Sequence, residues 1–525
     1  MIWIALIFTA GLWLLERRAL AITTRDFEET MPPLALWLVQ AGAFLATVVF
    51  FWASFSSTIW VRPVYFVLFL VACLLEYGYI IGMGRFSLMQ DYLMGAEVID
   101  GSLLMDDIRT FVVKEKVALV PLLSYAALLV LTAGNGSGGL GLLAAVLALH
   151  FGFYLLLYPF SIGSFRTLAL GAAFRTLTFS LWRIIRRYRG PRQTVDLRAP
   201  APPQNNVVLV VDESVRWDHL SLNGYERPTT PYLEELAQRG QLYNWGKAIA
   251  GTTFSLGSNL LLATGLRQLP DETQQMLRLP TVFDFAKAMG YENWVVDCQT
   301  DRRWLISKLT PGSYDHFIGD SALRDGPRYE IDNQGARKMH QVLSEGTGKF
   351  VFLNKMGLHF PYSVRYPADA ERWQPVLPDA AYHVGMHDEI VNTYDNALAY
   401  NLDSFFRNLL EPGDLENTVI VYISDHGETL SDDGELWPHT GHTEKEVSVP
   451  LFIISPQRLE VDTAYRASYA NIMPTLLDLL GVPEEARRYA YAPSLLRARA
   501  ADSGPRWYIY GDLEAPRNCR VIEAP

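Results

Sequence analysis

Four short islands in the second half of the chain carry residue types that do chemistry together. They read VVLVVDESVRWDHLSLNGYERPTTP at 207–231, AGTTFS at 250–255, GLHFPY at 357–362 and VYISDHGETL at 421–430. In the first and last, a β-branched apolar run leads straight into Asp212 and Glu213 or into Asp425 and His426, which sets these groups at the ends of buried strands. Strand ends in an α/β sheet are where ligands bind. Carboxylates, an imidazole and a hydroxyl converging there suit a divalent cation, and the mixed oxygen and nitrogen set favours zinc. One zinc is expected, with a second left open. The sequence has three cysteines, Cys73, Cys298 and Cys519, so a cysteine-built metal site is excluded by count, while a Cys298–Cys519 disulfide stays open.

The second island offers a nucleophile. Thr252 lies in a Gly-Thr-Thr turn that enters the apolar run LLLATG, which puts its hydroxyl at a helix N-terminus. Free backbone N–H groups and the helix dipole favour a phosphate at such a place. A threonine hydroxyl is a weak nucleophile until a metal favours its alkoxide, and that activation makes a phospho-threonine intermediate credible. Thr253 is the alternative. Asp212 reads as a helix cap ahead of a ligand, and His219, in a polar loop, reads as structural. His359, between Leu358 and Phe360, is either a core histidine or a functional one. Asp425 beside His426 is costly after a buried strand unless a partner compensates the pair.

These groups need a scaffold, and the pattern after the linker DLRAPAPPQNN supplies one. Strands are expected at 207–211, 294–297, 350–354, 419–424, 451–454 and 507–510. Helices are expected at 231–239, 282–289, 389–410 and 472–480, with Gly240, Gly290 and Gly481 as stops. The alternation predicts an α/β domain whose mostly parallel sheet is covered by helices on both faces.

The first third is a different material, with apolar runs at 1–15, 34–53, 64–83, 117–133 and 139–160. Crossing a bilayer takes about 20 such residues. An α-helical transmembrane domain of about five helices is therefore expected at 1–160, followed by a basic membrane-surface helix and linker at 161–205 and a catalytic domain at 206–525. Five spans from a cytoplasmic N-terminus would deliver that domain to the periplasm. The arginines from Arg166 to Arg192 argue for the inside, yet FRTLTFSLWRIIRRYRG suits an anionic membrane surface, so loop charge leaves the topology open. Glu76, within the third run, faces protein, water or the membrane edge. The acidic stretch 84–116 is either a solvated connection or a surface helix that helps seat a lipid. A net charge of −11 and the absence of a basic domain with interleaved aromatics exclude nucleic acid as a natural partner.

SLNGYERPTTP, together with SDHGETLSDDG and the following His439, carries a resemblance. The chain resembles the membrane-bound phosphoethanolamine transferases of the alkaline phosphatase and sulfatase superfamily, in both its parts. That resemblance implies an alkaline-phosphatase-like domain with zinc held by Glu213, Thr252, Asp425 and His426 and with Thr252 as nucleophile. It implies that His359 and His439 contact the transferred phosphoryl group or the leaving oxygen, with His442 the alternative to His439. Phosphatidylethanolamine is then the donor, and an envelope glycolipid or glycan, lipid A or lipopolysaccharide core first, is the acceptor. The enzyme is expected to be a monomer of the bacterial inner membrane with a periplasmic catalytic domain. One departure is that cysteines often flank the family's nucleophile, where this chain has Ala250 and Leu260 or Leu261. The rivals are a phosphoglycerol transferase, a phosphodiesterase or sulfatase-like hydrolase, and a noncatalytic lipid-binding membrane sensor. GTTFSLGSNL lacks the Cys/Ser-x-Pro-x-Arg pattern of sulfatases, and a sensor should have lost a ligand or the nucleophile.

Overall fold

The computed structural model describes residues 1–16, 33–83, 116–157, 168–186, 192–266, 278–301, 312–378, 386–411, 413, 415–432, 443–487, 489–509 and 519–522. The chain divides into two units, Met1–Arg187 and Tyr188–Pro525.

Each of the five apolar runs forms a helix: α1 (Ile2–Leu15), α2 (Pro33–Ser56), α3 (Arg62–Met83), α4 (Lys116–Leu131) and α5 (Leu140–Leu157). Among the described residues, two stretches are long and apolar enough by themselves to cross a membrane, Trp37–Ser56 and Leu140–Leu157, and three apolar helices are shorter. Exposed Trp3, Ile7, Trp37 and Leu156 face outward, while an aromatic cluster of Phe8, Phe51, Phe69 and Tyr125 fills the interior. Arg62 is buried, and its guanidinium donates to the carbonyls of Phe55, Ser57, Leu129 and Thr132, so one cation satisfies the orphan carbonyls at the C-terminal ends of both α2 and α4. Glu76 is buried within this unit rather than lying at its surface. The sixth helix, α6 (Ala169–Arg186), is the stretch expected on a membrane surface. It packs on α3 and α5, with Leu170, Ala172, Phe174 and Arg175 buried, and the two units divide after Arg187. The stretch 84–115 lies outside the described residues.

The second unit is a seven-stranded sheet in the order β2-β7-β6-β1-β5-β3-β4. Its strands are β1 (Asn206–Asp212), β2 (Leu242–Ile249), β3 (Glu292–Asp297), β4 (His316–Ile318), β5 (Lys349–Asn354), β6 (Thr418–Ser424) and β7 (Ser448–Ile454). β6, β1, β5, β3 and β4 run parallel, β7 pairs antiparallel with β6, and β2, antiparallel to β7, closes that edge in the direction of the parallel strands. β1 and β6 are buried along their whole lengths, as the near-continuous apolar runs require of strands covered on both faces. Val207, Leu209 and Val211 face one core and Val208 and Val210 the other, which is the strand's period of two.

The first core is covered by α8 (Ser255–Thr264), α9 (Val282–Ala288) and α12 (Ile472–Leu479). The second is covered by α7 (Pro231–Gln238), α10 (Ile331–Ser344) and α11 (His387–Leu410). Capping explains their starts: Pro231 opens α7, and Thr281 with Asp284 forms a capping box on α9. The strand expected at 507–510 is absent from the main sheet. It is β8 (Arg506–Ile509), paired antiparallel with β9 (Cys519–Ile522). Position 510 lies outside the described residues.

Candidate functional site

β1 and β6 are adjacent and in register, with Asp212 opposite Ser424, so the residues that follow them emerge side by side at one edge of the sheet. Glu213, Asp425 and His426 are all buried there, and one ligand atom from each lies within 4.8 Å of the others. His426 Nε2 is 3.2 Å from Glu213 Oε1 and 3.6 Å from Asp425 Oδ2. His426 Nδ1 lies 2.7 Å from the carbonyl of Gly427, which fixes the ring and turns Nε2 toward the carboxylates.

The carboxylates are held by neighbours. Glu213 accepts from Ser214 Oγ at 2.9 Å, Ser255 Oγ at 3.1 Å and Gln299 Nε2 at 3.0 Å. Asp425 Oδ1 accepts from the backbone N–H groups of Ser214 at 3.0 Å and His426 at 2.7 Å, whereas Asp425 Oδ2 is buried with no hydrogen bond among the described residues. Burial, reinforced by the Glu213 charge, pushes Asp425 up to about 8. Burial works to lower His426, yet Asp425 and Glu213 outweigh it and raise it well above the ordinary imidazole range. An orphaned, desolvated carboxylate oxygen beside a second carboxylate and an oriented imidazole is the donor set of a divalent cation, and the residues fit zinc.

The backbone is strained where it must turn the ligands inward. Ser214, directly after Glu213, has φ 61°, held by its N–H on Asp425 and by Tyr394 Oη donating to its carbonyl at 2.8 Å. Gly357 has φ 49°, and a Cβ there would come within 2.3 Å of Asp212 Oδ1. Only glycine lets this turn close on the ligand strand.

Thr252 and Thr253 are both fully buried on the loop between β2 and α8. Thr252 Oγ1 donates to the Phe254 carbonyl at 2.7 Å and lies 2.9 Å from Ser258 Oγ. Thr253 Oγ1 has no hydrogen-bond partner among the described residues. The loop is anchored through Ser255, the first residue of α8, whose hydroxyl reaches Glu213. It is also anchored from the C-terminal strand, where the Ile509 N–H donates to the Gly251 carbonyl at 2.9 Å.

His359 is exposed, which removes the core reading, and its Nδ1 lies 2.8 Å from the Phe360 carbonyl. His439 and His442 lie outside the described residues. Asp212 neither caps a helix nor joins the ligand cluster. Its Oδ2 meets Lys355 Nζ at 2.5 Å and Tyr422 Oη at 2.9 Å, and its Oδ1 accepts the Glu213 N–H. His219 is structural: it lies 2.6 Å from Asp395 Oδ1, while Tyr225 and Arg227 donate to Asp395 Oδ2, so the NGYER motif folds around one buried carboxylate. Cys298 is a free buried thiol. Sequence reasoning missed Gln299, Ser255 and Lys355, and only the position of Gln299 just past the end of β3 hinted at a place in the site.

Fold and site together define a class, an α/β domain with a cation-ready centre at the carboxyl ends of its strands, in a chain that begins with an apolar helical unit. The chain belongs to the Sulfatase family, whose model matches residues 205–482, more than half of its length. The Kdo(2)-lipid A phosphoethanolamine 7''-transferase of Escherichia coli (strain K12) is 26% identical over 284 residues, which are 51% of this chain and 47% of that protein. The chain thus spans about half the length of the curated relatives it matches. The integral membrane lipooligosaccharide phosphoethanolamine transferase A (EptA) of Neisseria meningitidis aligns with a TM-score of 0.60 at 17% identity, covering 89% of this chain and 94% of that one. The C-terminal periplasmic domain of EcEptC from Escherichia coli, in complex with Zn, aligns with a TM-score of 0.52 at 20% identity, over 64% of this chain and 96% of that one. These likenesses show the fold: a helical region followed by an alkaline-phosphatase-like domain.

Proposed function

We propose that the chain transfers phosphoethanolamine from phosphatidylethanolamine to an envelope glycolipid or glycan, with lipid A or the lipopolysaccharide core first among acceptors. In this reading it is a zinc-dependent, monomeric enzyme of the inner membrane whose α/β unit faces the periplasm. The observation that carries the reading is the buried Glu213–Asp425–His426 cluster with its orphaned Asp425 oxygen, tied through Ser255 to a loop of two buried threonines. Relatives named as phosphoethanolamine transferases supply the transferred group, and the Zn complex of a structural neighbour supports the metal.

Glu213, Asp425, His426 and Thr252 would hold the zinc. When bound, it would lower the pKa of the threonine hydroxyl and offset charge on the phosphoryl oxygens. Thr252 Oγ attacks the phosphorus of phosphatidylethanolamine, the bond to diacylglycerol breaks, and diacylglycerol leaves with a proton on its oxygen. An acceptor hydroxyl or phosphate oxygen then attacks the phospho-threonine, and Thr252 recovers its proton. His359, exposed beside the site, and His439 or His442 serve as donors to the phosphoryl group or leaving oxygen. Burial of the cluster excludes water, which favours transfer over hydrolysis.

A second reading makes Thr253 the nucleophile, because its buried hydroxyl has no acceptor while that of Thr252 donates to Phe254. Turnover of labelled phosphatidylethanolamine by the full chain decides between them. Thr252→Ala is expected to lose roughly a thousandfold or more while Thr253→Ala keeps turnover within about tenfold. The reverse ranking would install Thr253. An unchanged envelope lipid and glycan profile in cells lacking the gene would count against the transferase reading itself.

A further inference from the structure

Arg365 follows the short turn after His359 and is 4% exposed, yet among the described residues no carboxylate bonds to it. Its Nε donates to the His359 carbonyl at 2.6 Å, and its Nη1 is buried with no hydrogen-bond partner among the described residues. The surroundings are the candidate site's own. The N–H of Leu358 donates to the Glu213 carbonyl at 3.0 Å, and the N–H groups of Met356 and Gly357 are fixed by Asp332 at 2.7 and 2.9 Å. The carboxylates that act on the guanidinium are Asp332 and Glu213, through space and without a bond. Burial outweighs both and pulls its pKa down to about 10. Arg216, also buried in this unit, shows the contrast, since it is neutralised by Asp218 and Asp432 in direct contact. A guanidinium closed off from bulk water with donors to spare lacks an anion.

We propose that Arg365 binds the phosphoryl oxygens of the substrate, completing its guanidinium fork on the group that the threonine attacks. The proposal rests on the transfer reading above and deepens it. The shared chemistry is a phosphoryl anion, which either the lipid phosphodiester or free phosphate presents. Arg365 is far from Glu213 in sequence, but the turn that holds it is tied to the site, since Leu358 bonds to the Glu213 carbonyl and Arg365 to the His359 carbonyl. The Nε bond to the His359 carbonyl sets the plane of the fork.

The test uses the zinc-loaded full chain in detergent, with Arg365→Gln and Arg365→Lys. It measures turnover of phosphatidylethanolamine, inhibition by inorganic phosphate, and zinc content. Arg365→Gln is expected to weaken phosphate inhibition and raise KM for the lipid by roughly tenfold or more, as loss of a charged hydrogen bond implies. Arg365→Lys should recover part of both, and zinc content should stay at the wild-type level. A fall in kcat with phosphate inhibition unchanged in both variants would make Arg365 a structural brace of the His359 turn and overturn the proposal. Wild-type chain that binds zinc but neither turns over the lipid nor responds to phosphate would sink the transfer reading, and this inference with it.

Discussion

Two buried aspartates, Asp395 and Asp425, show how the same side chain serves two purposes. Asp395 sits on α11 with both oxygens answered, Oδ1 by His219 and Oδ2 by Tyr225 and Arg227, and nothing is left over. Asp425 follows β6 with Oδ1 answered twice by backbone, while Oδ2 has no hydrogen bond among the described residues and only the His426 ring 3.6 Å away. Burying a carboxylate oxygen without a donor costs several kcal/mol relative to a bonded one, on the order of 1–3 or more. A folded chain retains that cost where a ligand removes it. Asp395 thus reads as architecture and Asp425 as a site.

The comparison predicts opposite consequences for the two residues. Glu213→Ala or Asp425→Ala should lower turnover by roughly a thousandfold or more while costing the metal-free fold less than Asp395→Ala does, because relief of the crowding between the two carboxylates offsets part of the hydrogen bonds lost. Turnover and urea titrations of zinc-stripped protein check both halves. Asp395→Ala should do the reverse and destabilise the fold by about 3–5 kcal/mol, since it strands Arg227 and His219. Loss of activity without loss of stability in Asp395→Ala would break the distinction.

Asp297 lies between the two cases. It is buried at the end of β3, with Oδ1 bonded to the Gln299 N–H and to Asn354 and with Oδ2 bare, and burial pushes it up to about 7. With its folded pKa above the unfolded one, the folded state holds the proton longer. Stability should therefore fall as pH rises from about 4 through 7, by up to ~4 kcal/mol. Asp297→Asn should flatten that slope, and urea midpoints across the range would show it.

The Asp212–Lys355 pair sharpens the same point, because it is an ion pair buried on both sides. Lys355→Met should cost about 3 kcal/mol, and Asp212→Asn with Lys355→Met should recover much of it. At the small end, the exposed pair of His316 and Glu292 should contribute only about 0–1 kcal/mol, so Glu292→Gln should leave the midpoint nearly unmoved.

Much of this was legible in the sequence, for a physical reason. β1 and β6 are continuous β-branched runs ending in charge, and that abrupt change marks a strand covered on both faces that stops at a site. β2 was missed because Asn244, Gly246 and Lys247 interrupt its pattern at an irregularity in the pairing with β7. α10 was missed because Gly335 sits in its middle, where a Cβ would fall 2.8 Å from Cys298 Sγ. Close packing required a residue that propensity disfavours. Glu213, Asp425 and His426 could be named in advance because each adjoins its own strand. Gln299 and Arg365 could not, since neither directly follows a strand, and Lys355, though it follows β5, reads as an ordinary surface lysine until its burial against Asp212 is seen. The Asp212 cap reading failed for a related reason: its partner, Lys355, lies on the neighbouring strand's continuation and not in the next helix.

Zinc binding to the full chain, measured by metal analysis after equilibration and dialysis, tests the central claim most directly. The account predicts at least one tightly held zinc per wild-type chain, lost in Asp425→Ala and kept in Asp395→Asn. A wild-type chain that retains no zinc, or an Asp425→Ala chain that retains as much as wild type, would contradict it.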